Sequence, residues 1–208
     1  MSEESRKKPK QKRSLQMLDD ILEGTKVAID KFGIDKITTS KISDITGISV
    51  GSFYQYFKNK DFALVNLSKS FSSTFIKSFF NKLEKIENLP MTDLVEKLTL
   101  FYIDEMYKYA PYLKSMPRVI WKLGQSSFFI GNRKIVVDSI SKILEKNSNK
   151  TFKECHEFSW LLVNFINGTI HHTFQTEETY YSKEYLSDFL VQTSKRSVLE
   201  FLEEKCEP

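Results

Sequence analysis

The sequence predicts an all-α protein of about nine helices, in which three N-terminal helices form a helix-turn-helix and the others form a larger helical domain. Apolar residues recur at steps of three and four along most of the chain. No segment shows the sustained alternation of apolar and polar residues that a half-buried strand requires. Seven glycines and five prolines in 208 residues are also too few for a turn-dense β protein.

Composition places the chain among globular proteins, with 40% hydrophobic and 28% charged residues. No run of about 18 uncharged apolar residues is present, so we expect no membrane span. Two cysteines, Cys155 and Cys206, make no disulfide framework, which favours a reducing cytoplasm. Residues 1–14 hold six basic and two acidic side chains, which accounts for the whole net charge of +4. This segment is interpreted as a disordered basic arm, either simply solvated or able to contact nucleic acid.

The first helix is predicted from an amphipathic stripe that ends before Gly33. The stripe consists of Leu15, Leu18, Leu22, Thr25, Ile29 and Phe32.

Two short helices follow, and each begins at a hydroxyl residue between apolar neighbours. Ile37 and Ile42 surround Thr38, and Ile48 and Phe53 surround Ser49, in the spacing of a hydrophobic staple around an N-cap. Gly47 is expected to end the first of the two. Helices this short, joined by three residues, indicate a helix-turn-helix.

Longer helices account for the remaining chain. Asn59 is a plausible cap for a helix that continues through Phe79, and the helices after it are expected around 94–102, 119–123, 128–146, 152–174 and 185–202. The sequence does not decide whether the helical stretch between 119 and 146 breaks or kinks at Gly124 and Gly131. The predicted organisation is therefore a basic arm over 1–14, a helix-turn-helix domain over 15–60 and a helical domain over 61–208.

The third helix, in the stretch SVGSFYQYFKNKD, has one face suited to a core and another suited to a partner. Phe53 and Phe57, four residues apart, are predicted to be buried. Gly51 costs about 1 kcal/mol relative to alanine inside a helix. It is explained either by tolerated destabilisation, by close packing on a neighbouring helix, by a position near the helix start, or by close approach of a partner to the backbone.

Positive charge is concentrated around the same helices. Residues 36–60 contain four lysines and one acidic residue, Asp44. Lys60 falls in the first turn of the fourth helix, where a cation opposes the helix dipole unless an anion is bound there. Since an α-helix fits the major groove of B-DNA, this pattern favours DNA as the partner.

The stretch ITTSKISDITGISVGSFYQYFKNKDFALVNL, from Ile37 to Leu67, resembles the DNA-binding signature of the TetR family of bacterial transcriptional regulators. The resemblance implies that the third helix is a recognition helix, with phosphate contacts from Thr39, Tyr54, Tyr56 and Lys60. It implies groove contacts from Ser49, Val50, Ser52 and Gln55. Tyr56 stands where the family often has histidine, so it brings no charge. The full set of implied DNA-contacting residues is Thr38, Thr39, Ser49, Val50, Gly51, Ser52, Tyr54, Gln55, Tyr56 and Lys60.

The resemblance also implies a homodimer formed through the last two helices, and a sensor pocket for a small molecule among the middle helices. The implied interface residues are Phe158, Leu162, Phe165, Phe189, Leu190 and Leu199. The implied pocket residues are Tyr102, Met106, Tyr109, Met116, Trp121, Phe128, Phe129, Phe165 and His172. Each pocket side chain could instead be ordinary core, and the interface residues could instead belong to a monomeric core.

No catalytic constellation is visible in the sequence, and no cofactor or metal is expected. His171 and His172 are adjacent, so they point about 100° apart on a helix and cannot easily share an ion. The favoured function is a ligand-responsive repressor that leaves a palindromic operator when it binds a mostly apolar or aromatic effector. The alternative is an all-α ligand-binding or interaction domain that no longer reads DNA specifically.

Overall fold

The structure is a computed structural model that describes residues 12–113, 119–120, 124, 126–175 and 181–203. In these ranges the protein has nine α-helices, one short 3-10 helix and no strand, which confirms the all-α prediction. The helices are α1 Lys12–Phe32, α2 Thr39–Thr46, α3 Val50–Tyr56, α4 Lys60–Ile86, α5 Met91–Lys108, α6 Ala110–Leu113, α7 Ser126–Lys146, α8 Phe152–Gln175 and α9 Lys183–Glu203.

Local signals explain most of the helix ends. Gly33 and Gly47 have φ angles of 77° and 70°, in the left-handed region that glycine adopts readily, and they follow α1 and α2. Asn59 Oδ1 accepts a hydrogen bond from the Phe62 amide at 3.2 Å and caps α4. A capping box opens α8, because Thr151 Oγ1 accepts from the Glu154 amide at 3.3 Å while Glu154 Oε2 accepts from the Thr151 amide at 2.7 Å.

The predicted boundaries near the two undecided glycines are resolved by the structure. Gly124 lies in a turn with a φ angle of 64°, and α7 begins after it at Ser126. Gly131 lies within α7, which continues without a break.

The chain forms two compact units. The first comprises the residues up to Ser73 together with the described residues from Pro111 to Phe128. Its core includes Ile21, Ile37, Ile42, Phe53, Phe57 and Leu64, all at most 2% exposed. The predicted domain boundary at residue 60 differs from this division, since α4 is one continuous helix whose first half, with Ala63, Leu64 and Val65 buried, belongs to the first unit.

The predicted stripe of α1 matches the face that the helix buries only in part. Thr25 and Ile29 are buried as predicted, Leu15 is 49% exposed, and Ile21 and Ala28 are buried outside the stripe. Gly24 also lies on the buried face. A Cβ there would lie 2.1 Å from Thr46 Cγ2, so α1 and α2 are in close contact at this glycine.

The second unit comprises the described residues between 74 and 110 and between 129 and 203. Its described core contains side chains from the second half of α4 and from α5, α7, α8 and α9. Its buried members are Phe79, Leu83, Ile86, Leu94, Val95, Leu98, Leu144, Cys155 and Val198. No helix in the described ranges combines the length and the apolar character needed to cross a membrane.

Candidate nucleic-acid interface

The two short helices are held in place by the caps that the sequence predicts. Thr38 Oγ1 accepts from the Lys41 amide at 3.2 Å, and Ser49 Oγ accepts from the Ser52 amide at 3.0 Å. These bonds satisfy amides that a helix N-terminus otherwise leaves without partners. Thr38 and Ser49 therefore define the start of α2 and of α3.

The inward face of α3 is aromatic. Phe53 and Phe57 are fully buried, with ring centroids 5.7 Å apart. This contact fixes the rotation of α3 about its axis and therefore decides which residues face outward.

The outward face of α3 carries small and polar residues. Ser49, Gly51 and Gln55 are exposed, Ser52 is half-buried, and Val50 is 38% exposed. The Ser49 and Ser52 hydroxyls lie 2.9 Å apart, so they form one polar patch at the start of the helix. Hydroxyl and amide groups on an exposed helix face are suited to reading base edges in a major groove.

Two hydroxyl groups meet where α2 begins beside α3. Tyr54 is 41% exposed, and its hydroxyl lies 3.4 Å from Thr39 Oγ1. The resemblance implied phosphate contacts for both residues. The structure brings them together on the surface, where the two neighbouring hydroxyl groups could donate hydrogen bonds to oxygens of one phosphate.

Gly51 has no close neighbour within the chain. A Cβ built there would meet only Ser49 Oγ, at 3.7 Å, which is ordinary van der Waals contact. Close packing on a neighbouring helix is therefore excluded as the reason for this glycine among the described residues. Tolerated destabilisation, a place in the first turn of α3 and close approach of an external partner remain as explanations.

The resemblance implies a phosphate contact from Tyr56, but the structure places this residue on the inward face of α3. Its side chain is only 6% exposed, and its hydroxyl lies 3.1 Å from Ser14 Oγ in α1. The residue follows Phe53 by three positions, so it shares the inward face of the helix. Tyr56 thus attaches α3 to the start of α1.

Two of the four lysines in this region are held by backbone carbonyls. Lys60 Nζ donates to the carbonyl of Ile37 at 3.0 Å, which links the start of α4 to the residue before the α2 cap. Lys41 Nζ donates to the carbonyl of Lys36 at 2.8 Å and lies 4.4 Å from the centroid of the Phe32 ring. Lys36 and Lys58 are exposed. Positive charge therefore remains on this surface from both anchored and exposed side chains.

The predicted pocket residues are not all brought together. Tyr102 and Met106 are in α5, where Met106 is buried and Tyr102 half-buried, and Tyr109 follows that helix. Phe128 and Phe129 are half-buried in α7. Phe165 is 43% exposed and His172 is also exposed, so burial does not distinguish either as a pocket residue, and their assignment stays a prediction. Met116 and Trp121 lie outside the described residues.

The predicted dimer interface is partly corrected. Phe165, Phe189 and Leu199 are exposed at 43%, 47% and 43%, as an interface requires of a single chain. Leu190 is fully buried, and Phe158 stacks on Phe201 at 4.2 Å. Leu162 is also packed against the core. These three face inward because they occupy the other side of the same helices.

A polar cluster in the second unit was missed by the sequence analysis. Tyr102 donates a hydrogen bond to Asn167 Oδ1, and Arg133 donates to Asn164 Oδ1 at 2.8 Å. Burial lowers the pKa of His171, and the Arg133 charge acts in the same direction. Asn164, Asn167 and His171 recur at steps of three and four along α8. A polar stripe in an otherwise apolar helix was the signal that could have revealed them.

No group of three metal-binding side chains occurs within the described ranges. Cys155 is buried, and burial raises the pKa of its thiol, which keeps it protonated.

Comparison with known proteins associates this geometry with one family. Residues 21–62 match the family model described as bacterial regulatory proteins, tetR family. The matched segment runs from within α1 to the first turn of α4, and it contains the entire helix-turn-helix. A comparison with curated protein sequences finds no match.

Solved structures share the fold over nearly the whole chain. The fatty acid degradation regulator FadR from Bacillus halodurans is 16% identical, covers 97% of this chain and all 100% of its own, and has a TM-score of 0.60. A putative TetR-family transcriptional regulator from Syntrophomonas wolfei is 13% identical, with 92% and 99% coverage and a TM-score of 0.67. The multidrug binding protein EbrR, complexed with imidazole, is 12% identical, with 84% and 93% coverage and a TM-score of 0.55.

Proposed function

We propose that this chain, whose residues 21–62 match the tetR family model and whose fold resembles solved TetR-family structures, is a ligand-responsive transcriptional repressor. The observation that carries the proposal is the two-sided character of α3. Phe53, Tyr56 and Phe57 anchor the helix inward, and the exposed Ser49, Val50 and Gln55 are left to contact DNA.

Each group on this surface has a defined task in the proposed complex. The Tyr54 and Thr39 hydroxyls, 3.4 Å apart, bond backbone phosphates. Lys60 retains two further N–H donors beyond its bond to Ile37, so it can hold a phosphate as well. Gln55 offers an amide that can pair with adenine through two hydrogen bonds.

Two copies of α3 are needed to read a palindromic operator. The exposed apolar residues of α8 and α9 provide the surface for a homodimer. A dimer would place its recognition helices in major grooves about 34 Å apart or a multiple of that distance. Binding of a small, mostly apolar or aromatic effector in the helical domain would then weaken operator binding through a coupling of about 1–3 kcal/mol.

Selection from a random duplex library tests this function directly. The purified protein should enrich an inverted repeat, and that repeat should shift on a gel in the presence of excess competitor DNA. Lys58 is exposed shortly after α3, and we expect it to contact a phosphate as well. Lys58→Ala should therefore reduce the magnitude of the slope of log affinity against log salt concentration by about 1. Failure to enrich any sequence would favour the alternative, a helical ligand-binding or interaction domain without specific DNA recognition.

A further inference from the structure

An arginine without a carboxylate partner lies within the helical domain. Arg133 of α7 is half-buried, and its described hydrogen bond goes to the neutral amide oxygen of Asn164, at 2.8 Å. Among the described residues, no aspartate or glutamate lies within ion-pair distance of it. Arg196 differs, since it pairs with Glu200 at 2.8 Å. A guanidinium has five N–H donors, so most of those on Arg133 remain available.

The groups around Arg133 are polar and electrically neutral. Burial raises the pKa of Tyr102 far above its usual value, and the Arg133 charge opposes only part of that rise. The phenol therefore stays protonated and donates to Asn167 Oδ1. Burial and the same charge lower the pKa of His171, so its imidazole is neutral at neutral pH. The cluster thus carries a single positive charge.

Neighbouring side chains fix the orientation of the polar groups. Asn164 Nδ2 donates to the carbonyl of Trp160 at 2.7 Å, which directs its Oδ1 toward Arg133. Asn164, Asn167 and His171 occupy successive turns of α8, so their side chains lie on one face of the helix. Such an arrangement is prepared before any ligand arrives, which lowers the cost of binding.

Aromatic rings pack against Tyr102 and further along α5. The Phe75 ring of α4 meets the Tyr102 ring edge-on at 5.6 Å, and Phe75 also stacks with Phe101 at 5.8 Å. Five residues after Tyr102 on α5, Tyr107 meets Phe174 of α8 at 4.9 Å. A ligand with its charged end at Arg133 would therefore place its remaining atoms among apolar surfaces.

We propose that the effector of this regulator is an amphiphilic carboxylate, whose oxygens pair with Arg133 and whose apolar or aromatic body lies against the neighbouring rings. The proposal rests on the proposed function, since it names the chemical class of the effector. A planar guanidinium binds a carboxylate through two parallel hydrogen bonds. One positive charge among neutral groups matches a monoanion better than a phosphate dianion.

Matched acids and amides test the proposal by isothermal titration calorimetry. The probes are decanoate with decanamide, and 2-naphthoate with 2-naphthamide. At least one acid should bind wild-type protein about tenfold or more tightly than its amide, because a charged hydrogen-bonded pair is lost in the amide. If each acid bound with the same affinity as its own amide, or if no probe bound, the proposal would be overturned. This result is obtained with wild-type protein alone.

Variants on α7 then locate the effect. Arg133→Gln should abolish the preference for the acid, and Arg133→Lys should retain part of it. Lys134→Gln, which removes a neighbouring exposed cation, should leave the preference intact. An unchanged preference in Arg133→Gln would contradict the assignment. Operator binding by wild-type protein is measured separately, without probes. If the protein bound no operator, the regulator function would be refuted, whereas acid binding tests only the Arg133 cluster.

Discussion

At the level of single residues, the proposed DNA complex would use different side chains of α2 and α3 for affinity and for specificity. Gln55 is exposed in the last turn of the helix, and it carries both a donor and an acceptor on one amide. Tyr54 and Thr39 offer hydroxyl groups, which suit phosphate oxygens that are the same at every base pair. The two kinds of contact should therefore respond differently to mutation.

Gln55→Ala should relax sequence preference at one base pair in each half-site. Loss of a bidentate amide–adenine pair removes about 1–3 kcal/mol of discrimination. Binding-site selection on the variant would show this as a single degenerate position in each half-site. Lys58→Ala provides the control, because a phosphate contact affects all sequences alike. A Gln55→Ala profile identical to that of wild type would contradict the groove assignment.

His171 gives the helical domain a pH-dependent stability. Its usual pKa of 6.5 is lowered in the folded protein by burial and then by the Arg133 charge. The unfolded chain therefore takes up a proton at higher pH than the folded chain does. Stability that is present above pH 6.5 is consequently lost as the pH falls from 6.5 toward the folded pKa.

His171→Gln should thus lose less stability than wild type between about pH 7.5 and about pH 5.5. Urea denaturation at fixed protein concentration measures the difference. His172→Gln is the matched control, since this neighbouring histidine is exposed. Equal pH dependence in His171→Gln and wild type would show that His171 does not contribute this term.

At the level of helices, the sequence predicted where helices begin better than it predicted which face of each helix is buried. The caps at Thr38, Ser49 and Asn59 are confirmed, because a cap depends on residues three apart in the chain. The buried face of α1 was predicted only in part. That face also contains Gly24, whose close contact with Thr46 is visible only when α2 is in place beside it.

The same limit applies to the functional residues. The position of Tyr56 in α3 was given by the sequence, but its contact with Ser14 joins residues 42 apart and could not be read from local spacing. Arg133, Asn164 and Tyr102 come from three different helices for the same reason. Leu190 was predicted to face a partner but lies on the buried side of α9, a helix that is apolar on both sides.

Tyr56→Phe and Tyr54→Phe together test the two faces of α3. Tyr56→Phe removes the 3.1 Å bond to Ser14 and should lower the free energy of unfolding by about 0.5–1.5 kcal/mol. Tyr54→Phe removes an exposed hydroxyl and should weaken DNA binding with little change in stability. Chemical denaturation and gel-shift titration of both variants provide the comparison. If Tyr54→Phe changed stability and left DNA binding intact, the outward role of Tyr54 would be refuted.

At the scale of the whole molecule, α8 and α9 leave apolar side chains uncovered in the single chain. Leu161 is 71% exposed and Phe165 43%, and Gly168, three residues further on, has no neighbour within 4 Å of a built Cβ. On α9, Tyr185 is 60% exposed and Phe189 47%. Each set repeats at helical spacing, so each helix presents a continuous apolar stripe in addition to its buried face.

Leu161→Glu should therefore convert the proposed dimer into a monomer. A carboxylate at this position would have to be desolvated on association, which costs several kcal/mol when the charge stays unpaired. Sedimentation velocity at micromolar concentration should show half the wild-type mass, and circular dichroism should show unchanged helix content. Ile135→Glu is the matched control, because Ile135 is 41% exposed on α7 and outside the stripe. The monomer should also lose its palindrome-dependent gel shift, since one recognition helix reads only one half-site. A Leu161→Glu protein that sediments as wild type would place the dimer contact, and with it the spacing of the two α3 helices, elsewhere on the chain.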